Sequence, residues 1–76
     1  MEIADDIDAR GLRCPLPVLR LRKRLLALPA GSIVRLETDD PMAVIDVPHF
    51  CAEAGHELLE SAGTETGHVH FVRRGA

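Results

Sequence analysis

The chain has 76 residues and a net charge of −3, enough for one domain spanning residues 1–76 that buries only about 60% of its unfolded surface. The acidic balance and the absence of Trp and Tyr argue against nucleic-acid binding. No apolar run suits a bilayer, and two cysteines without a secretory signal pattern point to a reducing, cytoplasmic setting rather than a disulfide scaffold.

Residues Ile3 to Ala9 predict a first strand, with Ile3, Ile7 and Ala9 on one face and Asp5 breaking the alternation. Gly11 then gives the backbone freedom to turn. The run Arg10-Gly11-Leu12-Arg13-Cys14-Pro15-Leu16-Pro17-Val18 places a thiol at a helix entrance. Both prolines suit a first helical turn, where their missing N–H groups are not needed. With Cys14 as the N-cap, the free donors of that turn are the amides of Leu16 and Val18, and the positive helix end favours an anionic sulfur. Arg10 and Arg13 add positive charge, so the expected thiol pKa is depressed.

From Pro15 to Leu28 a stripe of Val18, Leu21, Leu25 and Leu28, with Leu26 beside it, predicts an amphipathic helix whose Arg20, Lys23 and Arg24 face elsewhere. Leu28-Pro29-Ala30-Gly31 reads as a type I turn. Ile33 to Thr38 is a β-branched, central strand with Val34 and Leu36 on one side. Strand, helix and strand make a right-handed, parallel βαβ unit. Cys14 then lies at the carboxyl end of its first strand.

Asp39-Asp40-Pro41 starts a second helix, with Asp40 as N-cap. Pro48 predicts a break in it, one turn before Asp46 and the remainder from Pro48 to Ala54, with Val44, Val47, Cys51 and Ala54 on one stripe. Gly55 ends the helix. His56 to Ser61 and His68 to Arg73 form a hairpin around Gly63-Thr64-Glu65-Thr66-Gly67. The fold class is α+β: a two-layer α/β sandwich of order βαβαββ, with two helices on one face of a four-stranded mixed sheet and water on the other.

Cys14 lies off the apolar stripe among turn residues, which sets it apart from a buried core thiol. Pro17 stands where a redox Cys-x-x-Cys pair needs its second cysteine, and Cys51 reads as core. A lone thiolate suits covalent carriage: it attacks a sulfur donor, holds the outer sulfur and releases it to another thiol. His49, His56, His68 and His70 give no Cys-His catalytic spacing. His68 and His70 share a face of the last strand and read as solvated histidines, so no metal and no cofactor is expected. Arg10, Arg13, Arg20, Arg22, Lys23 and Arg24 flank the thiol without an intervening acid. They form either a solvated helix face or a docking surface for acidic partner proteins.

The run Asp8 to Pro17 with its basic helix resembles the TusA-like (SirA) family of small sulfur carriers. The likeness extends to Asp39-Asp40-Pro41, to Pro48, Phe50 and Cys51, and to Gly55-His56-Glu57. It implies the same sandwich and a persulfide on Cys14, received from a cysteine desulfurase or other sulfurtransferase and relayed to a downstream acceptor protein. The implied routes are tRNA 2-thiolation, molybdenum-cofactor maturation and sulfur oxidation. Leu16 departs from the glutamate frequent between the prolines of members dedicated to tRNA. The resemblance implies a carrier with a covalent cysteine intermediate rather than a self-sufficient enzyme, and it implies that Cys51 is not the carrier.

The candidate binding set around Cys14, read from the residues themselves, is Arg10, Gly11, Arg13, Pro15, Leu16, Pro17, Val18, Arg20 and Lys23. No direct nucleic-acid contact and no membrane contact is expected, and the small charged surface is compatible with a monomer. Two other readings stand beside this one: a non-catalytic, regulatory interaction domain, and a thiol-disulfide redox protein using Cys14 and Cys51.

Overall fold

The computed structural model describes residues 1–76. The elements run β1 (Asp5–Asp8), α1 (Leu16–Leu26), β2 (Ile33–Thr38), α2 (Ala43–Ala54), β3 (Glu57–Gly63) and β4 (His68–Arg73). The strands form one sheet in the order β1-β2-β4-β3; β1 and β2 are parallel and the other pairings antiparallel. The expected α+β order and the parallel first pair are both present.

β1 is a short strand whose ladder continues at each end, where the Ala4 amide donates to Ile33 and the Ala9 amide to Glu37. Asp5 shares the face of Ile7 and looks out of place there until α1 is considered. Its carboxylate accepts two hydrogen bonds from the Arg24 guanidinium at 2.6 and 2.7 Å, which ties the helix to the edge strand. Those hydrogen bonds hold the Asp5 pKa below the usual carboxylate range.

The core joins Ile7 and Ala9 of the first strand region, Leu21 and Leu25 of α1, Val34 and Leu36 of β2, Ala43, Val47 and Cys51 of α2, and Val72 of β4. Val18 and Leu28 pack against this cluster, as the helical stripe predicts, whereas Leu26 is 54% exposed. The opposite sheet face is wet. It carries pairs such as Arg35–Asp6 at 3.1 Å and Arg73–Glu57 at 2.8 Å.

Two sequence expectations need correcting. α2 is unbroken through Pro48. Its missing N–H would have met the carbonyl of Val44, and both residues lie on the exposed side, where water reaches the freed oxygen. The buried stripe is accordingly Ala43, Val47 and Cys51, while Val44 is 41% exposed and Ala54 faces solvent. Burial pushes the Cys51 thiol up to about 11, as befits a core cysteine.

The second correction concerns the histidines. β4 lies inside the sheet, not at a solvated edge, and His70 faces the helices, 1% exposed and opposite Leu36. Its Nδ1 lies 2.8 Å from the Ser61 hydroxyl and its Nε2 3.4 Å from that of Thr38. Burial, then the neighbouring His68, lowers the His70 pKa below its ordinary 6.5. The unfolded chain therefore takes up a proton that the native ring resists, so stability is complete above that value and is lost as pH falls through it.

We expect the melting temperature to drop between about pH 7.5 and about pH 5.5, and to drop less in His70→Gln. Equal pH dependence in the two proteins would contradict this assignment. His56, shifted the same way by burial and by Arg74, accounts for the part that remains.

Candidate functional site

The carboxyl ends of parallel neighbours β1 and β2 lead into the starts of α1 and α2, so the two connections meet at one edge of the sheet. At Gly11 the chain takes a φ of +82°, a left-handed value that a side chain disfavours. The Gly11 amide donates to both carboxylate oxygens of Asp39 at 2.9 and 3.1 Å. The Cys14 amide donates to Asp40 Oδ2 at 2.7 Å, and the other Asp40 oxygen accepts from the Met42 amide at 3.1 Å. Two aspartates following β2 thus strap the cysteine turn to the entrance of α2. Donation from the Cys14 and Met42 amides holds the Asp40 pKa down.

Cys14 is exposed and its peptide bond to Pro15 is cis. Pro15, not Cys14, occupies the N-cap position of α1. The Leu16 amide is already taken, donating to the Arg13 carbonyl at 2.8 Å. Of the two donors expected to face an anionic sulfur, only Val18 remains free, because a tight turn precedes the helix and uses the other.

The thiol opens onto a groove of about 250 Å³ between the helices, lined by Cys14, Pro15 and Val18 on one side and Asp46, His49, Phe50 and Glu53 on the other. His49 and Glu53 pair at 2.8 Å along α2. The surroundings of the sulfur are acidic, which overturns the expected depressed pKa. Hydrogen bonding to the Asp46 carboxylate raises the Cys14 pKa above the ordinary thiol value, with desolvation and the charges of Asp46 and Asp40 adding to it.

The basic residues do not offset this, because most of them point elsewhere. Arg10 forks onto Asp8 at 2.9 and 3.0 Å, with Glu37 at 3.9 Å, a pairing that uses its charge on the outer sheet face. Arg13 joins Gly11, Asp39, Asp40, Pro41 and Thr66 around a separate polar hollow of about 380 Å³. Leu16, Arg20 and Lys23 line a third depression, of about 280 Å³, with Leu12 and Leu19. Pro17 is buried. The candidate set is therefore split: Pro15 and Val18 adjoin the thiol in its groove, Gly11 and Arg13 stand to one side, and Leu16, Arg20 and Lys23 form a neighbouring surface.

That surface is partly apolar. Leu16 and Leu19 of α1 are about half exposed, at 49% and 52%. No group of three His, Cys, Asp or Glu side chains is placed to hold a metal ion. No helix is long and apolar enough to cross a membrane.

Sequence reasoning missed Asp46, His49, Phe50 and Glu53. The signal was present in the parallel βαβ reading, since helices that follow adjacent parallel strands begin side by side. The first turn of α2 was bound to face the first turn of α1.

Residues 5–74 match the family described as sulfurtransferase TusA. The sulfur carrier protein TusA of Allochromatium vinosum is 42% identical over 67 residues, covering 88% of this chain and 87% of that protein. Its counterpart in Pseudomonas entomophila is 41% identical over 73 residues, covering 92% and 88%. Among solved structures, the crystal structure of a SirA-like protein from Desulfitobacterium hafniense superimposes with a TM-score of 0.80 at 27% identity, covering 95% of this chain and 99% of that one.

Proposed function

The chain belongs to the TusA sulfurtransferase family, and from that premise we propose that it is a sulfur carrier whose Cys14 holds sulfane sulfur as a persulfide. The observation that carries this reading is the exposed Cys14 thiol at the mouth of a groove, on a turn strapped by Asp39 and Asp40. In the accepting step the Cys14 thiolate attacks the outer sulfur of a donor persulfide. The donor's S–S bond breaks, its own sulfur leaves as thiolate, and a new S–S bond forms on Cys14. The relay step repeats this exchange with an acceptor thiol, so sulfur moves with no net oxidation.

The donor is a cysteine desulfurase or another sulfurtransferase, and the acceptor is a downstream protein of a thiolation, cofactor-assembly or sulfur-oxidation route. Leu16, Leu19, Arg20 and Lys23 offer such partners an apolar patch with a cationic rim beside the thiol. Arg13 borders the same turn, while Gly11, Pro15 and Pro17 shape it. Arg10, saturated by Asp8, supports that shape rather than docking. The site of action is the cytoplasm.

Incubation with a cysteine desulfurase and cysteine is expected to add the mass of one sulfur atom, removable by a reducing thiol, to the wild type. Cys14→Ser is expected to gain nothing, whereas Cys51→Ala still loads. Equal addition to Cys14→Ser, or none to the wild type, would overturn the reading, and unchanged complementation by Cys14→Ser would favour a non-catalytic interaction domain. A Cys14–Cys51 disulfide in non-reducing mass mapping would favour a redox protein instead.

A further inference from the structure

Asp46 is the exception among the six aspartates of the chain. Asp5, Asp6 and Asp8 pair with Arg24, Arg35 and Arg10. Asp39 accepts the Gly11 amide, and Asp40 those of Cys14 and Met42. The Asp46 carboxylate has no cation and no N–H donor, although it is half-buried in the first turn of α2. Its polar neighbour is the Cys14 thiol, across the groove that the two residues share. The positive end of α2 favours a carboxylate at this point, but nothing in the packing requires one.

We propose that Asp46 is a positioning residue for sulfur transfer, whose charge across the groove opposes a thiolate at Cys14 and slows the loss of carried sulfur to small thiols. The inference rests on the carrier reading and adds a restraint to it. When a small thiolate attacks the outer sulfur of the Cys14 persulfide, the S–S bond breaks and its electron pair passes to Cys14 Sγ. The thiolate thus produced lies beside the Asp46 charge, which raises the barrier to its departure. A thiol of higher pKa is the poorer leaving group.

Among the other groups around the sulfur, Asp40 adds the smallest share of this restraint and the remaining charges are engaged with one another. His49 and Glu53 pair with each other, Asp40 is engaged by two amides, and the charge of Arg13 acts on Asp40. The raised thiol pKa agrees with this geometry.

The test is the rate of Cys14 alkylation by iodoacetamide across pH, in a Cys51→Ala background, for Asp46, Asp46→Asn and Asp46→Glu. Asp46→Asn is expected to move the profile to lower pH and to react roughly fivefold faster at neutral pH, the size of one nearby unit charge in a water-like medium. Asp46→Glu should return the profile towards the parent. Superimposable profiles for Asp46 and Asp46→Asn overturn the proposal; a mere loosening of the fold would change rates without moving the profile.

Alkylation needs no sulfur loading, so failure here is separate from failure of the carrier reading. As a second measurement, persulfide-loaded Asp46→Asn should lose its sulfur to glutathione several-fold faster than the loaded parent. Equal loss would likewise overturn the proposal.

Discussion

Replacing Leu21 with alanine is expected to remove about 2–5 kcal/mol of stability, the usual cost of emptying a fully buried leucine site. Leu21 is wholly buried in α1 and belongs to the single core cluster that joins both helices to β2 and β4. A chain of this length has about 4–11 kcal/mol in total. The substitution therefore takes a large share of it, and a substantial unfolded population is expected at physiological temperature. Few residues surround the site to collapse into the void, because a core this thin has no second layer. Urea titration of the wild type and Leu21→Ala measures the loss directly. A difference below about 1 kcal/mol would mean that α1 does not seat on the sheet as described.

Gly67→Ala is expected to disturb the fold and the thiol turn together. Gly67 precedes β4 and sits so close to the end of β2 that an added Cβ would fall on the Thr38 carbonyl oxygen and within 2.7 Å of Asp39 Cα. Both obstacles are backbone, which a rotamer change cannot relieve. Overpacking of this kind costs about 1–3 kcal/mol or more. The displaced residues lead directly to Asp39 and Asp40, whose carboxylates hold the Gly11 and Cys14 amides.

Sulfur loading should accordingly fall several-fold in whatever fraction of Gly67→Ala remains folded, with altered amide shifts at Gly11 and Cys14. Unchanged melting and unchanged shifts would refute the close approach. Gly63→Ala serves as the control in the same hairpin, since a Cβ there meets nothing.

Much of the architecture was legible because local chemistry determines it. The prolines and Gly11 mark the entrance of α1, alternation of Val34 and Leu36 marks β2, and the turn residues separate β3 from β4. The strand order was not legible: β4 inserts between β2 and β3 through contacts distant in sequence, and this is what buries His70. The continuity of α2 escaped for a related reason. Whether Pro48 breaks a helix depends on which side of it meets water, and that is decided by packing rather than propensity.

At the site, the position of Cys14 could be read from its own neighbours, but its electrostatics could not. Arg10 and Arg13 are adjacent in sequence and suggest a cationic thiol. The groups that act on the sulfur, Asp40 and Asp46, arrive from the far side of β2. Leu16 illustrates the same limit at shorter range, because its amide is committed by a turn whose geometry no residue type announces.

The straps from Asp39 and Asp40 also bear on what a fragment can report. A synthetic peptide ending at Gly31 would contain the whole motif and the whole of α1, yet neither the Asp39 and Asp40 carboxylates that strap the turn nor Asp46, which faces the sulfur. Its cysteine would titrate like that of any unstructured oligomer, and reactivities measured on it would describe a different molecule.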